Sequence, residues 1–188
     1  MSTPLVLFLD VDGVLNDDWH GSDCLPSFCG PGKLDDAMVL QLASLVSKLE
    51  SLDYSPAIVV SSTWRLEESM TAQLLSRLAA EPVVGAGSRC LDVYLLRSAG
   101  DAEAWRTPAL GDSGSSTEVR LREIRTWLAA RPHPMYLILD DLNLLFTDTG
   151  KPSGLDGTHF LHTFDEETGS AGLTIGRVRL ALEKIASQ

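Results

Sequence analysis

Leu5-Val6-Leu7-Phe8-Leu9 runs without a polar residue straight into Asp10-Val11-Asp12-Gly13. An apolar run that does not alternate fits a central strand covered on both faces. This strand delivers two carboxylates at its carboxyl end. If the strand continues past Asp10, Asp10 and Asp12 point to one side, because successive side chains alternate.

Two other segments repeat the pattern. Ala57-Ile58-Val59-Val60 ends in Ser61-Ser62-Thr63, and Met135-Tyr136-Leu137-Ile138-Leu139 ends in Asp140-Asp141. Helical periodicities separate them. Leu34, Met38, Leu42, Leu45, Leu49 and Leu52 step by four or three. Leu66, Met70, Leu74 and Leu78 step by four, with Glu67 and Glu68 in the first turn and Arg77 in the last, as a helix dipole prefers. Leu121, Ile124 and Leu128 follow a Ser115 to Glu118 capping box and stop at Pro132 and Pro134, while Ile175, Val178, Leu182 and Ile185 mark a closing helix. A last strand is expected over Thr158 to Thr163, and Val83-Val84 is a candidate start of another.

Strands alternating with helices at this spacing predict an α/β fold, an open and mainly parallel sheet with helices on both faces. A single domain over residues 1–188 is expected. Two stretches stand apart from it. Residues 16–33, with Gly21, Pro26, Gly30, Pro31 and Gly32, are expected to form a flap-like loop in which Trp19 and Phe28 reach over the Asp10 crevice. Residues 85–116 are poor in periodicity and are expected to be an irregular insertion. Between Asp12 and Ser61 there is room for little beyond the loop and one helix, so no large cap domain is expected there.

The 188 residues carry 26 Asp plus Glu against 15 Lys plus Arg, a balance of −11. That acidity argues against an extended nucleic-acid or anionic-membrane footprint, since non-specific binding there comes from Lys and Arg displacing counterions. At 44 % hydrophobic and 22 % charged, the chain is neither disordered nor fibrous. No apolar stretch approaches the roughly 18 residues that span a bilayer, and Asp10 interrupts the N-terminal apolar run before a signal-peptide core is complete. Cys24, Cys29 and Cys90 have no framework spacing and read as reduced thiols, so a cytoplasmic setting is expected. His20 with Cys24 and Cys29 falls short of the four ligands of a closed zinc site. His159 and His162 fall in the expected last strand and read as packing or surface residues.

Chemistry gathers at the strand ends. In open α/β sheets ligands bind outside the carboxyl ends of the strands, so Asp10, Asp12, Ser61, Ser62, Asp140 and Asp141 are expected to converge although 130 positions separate Asp10 from Asp140. Four carboxylates in one crevice repel unless a hard cation neutralises them, which points to a divalent metal such as Mg²⁺. Serine hydroxyls beside them suit the oxygens of an anion, and Gly13 lets the backbone approach it closely. Carboxylates, metal, hydroxyls and a basic group together describe phosphoryl chemistry.

The stretch Phe8 to Leu15, with the serine-ended and Asp-Asp-ended strands, resembles the haloacid dehalogenase (HAD)-like phosphohydrolases. More narrowly, Val59-Val60-Ser61-Ser62-Thr63-Trp64-Arg65, Arg120-Leu121-Arg122-Glu123-Ile124 with Trp127-Leu128, Leu139-Asp140-Asp141 and Gly172-Leu173-Thr174 look like the HAD domain of Swiss Army Knife RNA repair proteins. The resemblance implies a Rossmann-like sheet and a Mg²⁺-dependent phosphatase that hydrolyses a phosphomonoester through an aspartyl-phosphate. By that likeness Asp10 is nucleophile and metal ligand. Asp12 is general acid and base and lends the metal its backbone carbonyl. Ser61, with Ser62 beside it, holds the phosphoryl group, Arg120 or Arg122 stands where relatives have Lys or Arg, and Asp140 and Asp141 complete the Mg²⁺ shell. A solvated charged helix face is the plainer account of Arg120, and a salt bridge that of Arg65. The substrate implied is a phosphorylated small molecule or a nucleic-acid end. Two other classes stay open: a metal-dependent nuclease with no covalent intermediate, and a silent module that kept the fold and lost turnover.

Overall fold

The structure, a computed structural model, describes residues 2–16, 33–98, 100–111, 116–131 and 135–188. Strand β1 (Thr3–Leu9) is followed by helix α1 (Asp36–Ser51), β2 (Tyr54–Val60), α2 (Glu68–Ala80), α3 (Ser116–Ala130), β3 (Tyr136–Asp140), β4 (Phe160–His162), the short β5 (Phe164–Asp165) and β6 (Ser170–Ala171), and α4 (Ile175–Ala186). The main sheet has the order β2-β1-β3-β4 and is parallel throughout, while β5 and β6 form an antiparallel pair. Leu9 is in register with Val60 on one side and Leu139 on the other, so the polar ends of three strands come out level.

The apolar run earns its central position by being buried on both sides. Leu5, Leu7 and Leu9 pack in one cluster with Leu42 and Leu49 of α1, Leu74 of α2 and Val178 and Ile185 of α4. Val6 and Phe8 pack in a second cluster with Leu121, Ile124 and Trp127 of α3. Phe8 meets Trp127 edge to face at 5.2 Å between ring centroids. Helices therefore cover both faces of a mainly parallel sheet, as the alternation predicted.

Differences from the expected elements have local causes. The stripe from Leu34 becomes a helix only at Asp36, because the Asp35 carboxylate caps it by accepting from the N–H groups of Ala37 and Met38. Leu66 belongs to a 3₁₀ turn, Thr63–Leu66, and extended Glu67 separates it from α2. Val83-Val84 forms no strand: Pro82 bridges Cys90, and the chain turns between them through Gly85 and Gly87, both at positive φ. Only Phe160–His162 of the expected last strand is extended, since Asp156 caps a 3₁₀ turn that takes up Thr158 and His159.

The insertion is irregular but not idle. The Leu96 N–H donates to the Ile58 carbonyl, the Val60 N–H to Trp105, and the Thr107 N–H to Val60, so the insertion covers the otherwise open edge of β2. Residues 17–32, with Trp19, His20, Cys24, Phe28 and Cys29, lie outside the described residues, as do Ser115, Pro132 and Pro134. Cys90 is a half-buried free thiol. Among the described residues no helix is long and apolar enough to cross a membrane.

Candidate active site

Asp10 follows the last residue of β1 and Asp140 is the last residue of its neighbour β3, with the Asp10 N–H donating to the Leu139 carbonyl at 3.0 Å. One carboxylate oxygen each from Asp10, Asp140 and Asp141 lies within 4.8 Å of the others. Residues 130 positions apart in sequence thus share one crevice. Arg120 of α3 enters the same cluster, its Nη1 2.6 Å from Asp140 Oδ2 and 3.2 Å from Asp10 Oδ1. It is buried, whereas Arg122 is exposed, so Arg120 is the arginine at the cluster and the solvated-face account does not hold for it.

Asp12 is placed differently from the strand argument. β1 stops at Leu9 and the chain turns through Gly13 at φ +67°, so side-chain alternation does not carry past Asp10. The Asp12 carboxylate accepts from Trp64 Nε1 at 2.9 and 3.0 Å and from Asn16 Nδ2 at 3.0 Å, and it is not one of the three clustered carboxylates. The turn itself is tied down. Gly13 N–H donates to Asn16 Oδ1, and the Gly13 carbonyl accepts from Gly172 N–H and Thr163 Oγ1. Gly172 stands at φ +105°, and a β-carbon there would collide with Met38, which accounts for glycine in Gly172-Leu173-Thr174.

Ser61 leaves β2 with its N–H on the Leu9 carbonyl at 2.8 Å and its hydroxyl buried, with no hydrogen-bond partner among the described residues. The Ser62 hydroxyl accepts from Trp64 N–H as the cap of the 3₁₀ turn. Arg65 pairs with Glu123 of α3 at 2.6 Å and donates from Nη1 to the carbonyls of Ser61 and Ser62. It is the salt bridge of the two accounts, and it fixes the serine end of β2 against α3. His162 Nε2 donates to the Asp141 carbonyl at 2.7 Å and braces Asp141 from β4.

Trp64 as a partner of Asp12, and Asn16, Glu123 and Thr163, carry roles that sequence reasoning missed. Asn16 had a signal, lying four residues past Asp12 in a turn. Glu123 had one too, three residues past Arg120 on one helix face.

Electrostatics show what the cluster favours. Burial pushes the Asp140 carboxyl well above the usual range, Arg120 pulls it back, and Asp10 and Asp141 push it up again. Burial and then the Asp10 charge raise Asp141 to about 7 against the pull of Arg120. Burial opposes the Arg120 charge, but Asp10 and Asp140 outweigh it and hold the guanidinium above its ordinary value. When all three are ionised, three carboxylates against one guanidinium leave an excess of two negative charges, which burial and mutual repulsion resist, and the donors are all hard oxygens. These residues fit a hard divalent cation.

The raised carboxyls fix a pH dependence for the metal-free protein. Both folded-state pKa values lie above the unfolded ones, and the contribution of Asp141 is intact below about pH 4 and is lost as pH rises through about 7. Part of the roughly 1.4 kcal/mol per pKa unit survives solvent screening, so Asp141→Asn is expected to stabilise the metal-free chain by about 1–2 kcal/mol at pH 7.5 and negligibly at pH 4. Thermal melts in chelator at the two pH values check this. Equal effects at both would remove the charge repulsion assigned to Asp141.

A family model for the HAD domain in Swiss Army Knife RNA repair proteins matches residues 6–169. Searches of curated proteins and of solved structures give no significant match. The matched span takes in most of the 188 residues and holds Asp10, Asp12, Ser61, Arg120, Asp140 and Asp141, so the chain belongs to the family of HAD domains found in Swiss Army Knife RNA repair proteins.

Proposed function

We propose that this chain is a Mg²⁺-dependent phosphatase that hydrolyses a phosphomonoester through an aspartyl-phosphate on Asp10. The observation that carries this reading is Arg120 set between Asp10 and Asp140 in a cluster of three carboxylates at the ends of adjacent parallel strands. Asp10, Asp140 and Asp141 would hold the metal, with the Asp12 carbonyl as a further ligand. The ion supplies charge compensation for a phosphoryl group brought up to a negatively charged nucleophile.

An Asp10 carboxylate oxygen attacks phosphorus, the bond from phosphorus to the leaving oxygen breaks, and that oxygen takes a proton from Asp12. Water then attacks the same phosphorus and gives its proton to Asp12, the bond to Asp10 breaks, and inorganic phosphate leaves. Trp64 and Asn16 keep the Asp12 carboxylate apart from the metal trio, where coordination would cost it the basicity the second step needs. The unpartnered Ser61 hydroxyl is a ready donor for a phosphoryl oxygen. Arg120 stands beside the nucleophile as the fixed cation. The family's occurrence in RNA repair proteins favours a nucleic-acid end over a small phosphorylated metabolite as substrate.

Trapping tests this reading. Beryllium fluoride added in Mg²⁺ is expected to raise the melting temperature by several degrees over Mg²⁺ alone in wild type and by nothing further in Asp10→Asn, as a mimic of phospho-Asp10 would. A protein that releases product from oligonucleotides yet ignores beryllium fluoride would be the metal-dependent nuclease.

A further inference from the structure

Two cavities lie end to end along α3. The first, about 290 Å³, is lined by Arg120 and Glu123, and the second, about 560 Å³, by Trp127 and Arg131. Arg65, Leu66 and Ala109 line both, so they form one groove that begins at the arginine of the Asp10 cluster. From Ser116 to Ala130, the lining residues of α3 recur every three or four positions and make a single helix face about 21 Å long at 1.5 Å per residue, with Arg131 just past its end. At about 3.4 Å per stacked nucleotide that is room for several nucleotides.

We propose that this groove receives the single strand continuing from a nucleic-acid end whose terminal phosphate sits at Asp10. The proposal rests on the phosphatase reading above for what happens at that end, and on the groove alone for the strand. Charge selects the occupant. In a chain of net charge −11, the two cavities are lined by four arginines, Arg65, Arg106, Arg120 and Arg131, against Glu103 and Glu123. Arg65 is held by Glu123, and Arg120 by Asp10 and Asp140. Arg106 and Arg131 at the far end pair with Glu103 and Asp101, part-exposed partners that a phosphate displaces at little cost.

Each of these two guanidiniums also lies over an indole, Arg106 over Trp105 at 5.0 Å and Arg131 over Trp127 at 5.1 Å. A guanidinium so held offers a flat face to a base and a fork to a phosphate. Leu66, 59 % exposed between the two cavities, is an apolar surface in the path of a base, and the wall beside it contains Thr107, whose buried hydroxyl has no partner among the described residues. The net acidity excludes a long track, and a groove of this length is short.

The test compares a single-stranded pentanucleotide bearing a terminal phosphate with the corresponding mononucleotide, in Mg²⁺, for wild type and for Arg106→Gln with Arg131→Gln. Binding of the labelled pentanucleotide to Asp10→Asn, with and without the arginine changes, is followed by fluorescence anisotropy. The expected KM for the pentanucleotide in wild type is at least tenfold below that for the mononucleotide. Losing both arginines raises it and the Kd about tenfold and lowers the salt slope by about 1.4, at roughly 0.7 per single-strand phosphate contact. Turnover of an aryl phosphate, which fills only the Asp10 end, stays within twofold, and Arg131→Lys recovers most of the salt slope, which a purely packing role over Trp127 would not produce. Equal KM values for the two substrates, unchanged pentanucleotide binding in the double variant, or preference for a blunt duplex each overturn the groove while leaving aryl-phosphate turnover in place. Arginine-dependent binding with no phosphate release from any substrate would keep the groove and remove the phosphatase reading.

Discussion

Asp10→Asn is expected to lower Mg²⁺-dependent phosphate release from an aryl phosphate by roughly four orders of magnitude or more, to background, because an amide does not replace a carboxylate as nucleophile. The substitution is nearly isosteric, so the site around it should persist. Arg120 loses the charge of its 3.2 Å partner, whose amide oxygen can still accept, and keeps Asp140 at 2.6 Å. The excess charge of the cluster falls from two to one, so the Mg²⁺-induced rise in melting temperature should shrink without vanishing. That combination separates loss of the nucleophile from loss of the fold. Phosphate assays and melts with and without Mg²⁺ on the same preparations check it. Turnover within about tenfold of wild type would move the attacking group from Asp10 to a water and leave the nuclease account standing.

Much of this site was legible before any coordinates, and the part that was not divides by the range of the interaction. The three strand ends were readable because fully apolar runs that stop at Asp or Ser mark central parallel strands. Ligand crevices in such sheets lie at the carboxyl ends, so convergence of Asp10 with Asp140 followed. Arg120 against Arg122 was in principle decidable as well: Arg120 stands four residues before Ile124 and seven before Trp127, on the stripe that meets the sheet, and Arg122 does not.

The hydrogen bond from Trp64 to Asp12 joins positions 52 apart, and the Arg65 to Glu123 pair joins positions 58 apart. No local pattern encodes either. The insertion is a similar case. Its backbone pairs with β2 at Ile58 and Val60 through isolated bridges, without the alternation or length that marks a strand. The direction of Asp12 is a third case: the reading held only if the strand continued past Asp10, and β1 stops at Leu9 before the turn that contains Gly13.

Gly13→Ala is expected to damage fold and site together. An added β-carbon at Gly13 would stand 2.5 Å from Asp141 Cβ, 2.6 Å from its Cγ and 2.6 Å from Oδ2. The nearest of them, Cβ, is bonded to the backbone and cannot swing away as the tip of a long side chain does. The other way out, moving the turn, is opposed by the bonds from Gly172 N–H and Thr163 Oγ1 to the Gly13 carbonyl and by the Gly13 N–H bond to Asn16. Alanine at φ +67° adds about 1 kcal/mol or more of backbone strain, so a total near 3–4 kcal/mol, or roughly 10 °C in Tm, is expected. Gly150→Ala is the control: its φ is +73° and nothing lies within 4 Å of the added carbon, so it should show the backbone strain alone. Below its lowered Tm, Gly13→Ala should also lose the Mg²⁺-induced stabilisation and most phosphate release, because the atoms displaced are those of a metal-site carboxylate. If Gly13→Ala melts with Gly150→Ala and keeps its response to Mg²⁺, then Asp141 does not lie against the Asp10 turn, and the three-carboxylate cluster loses one of its members.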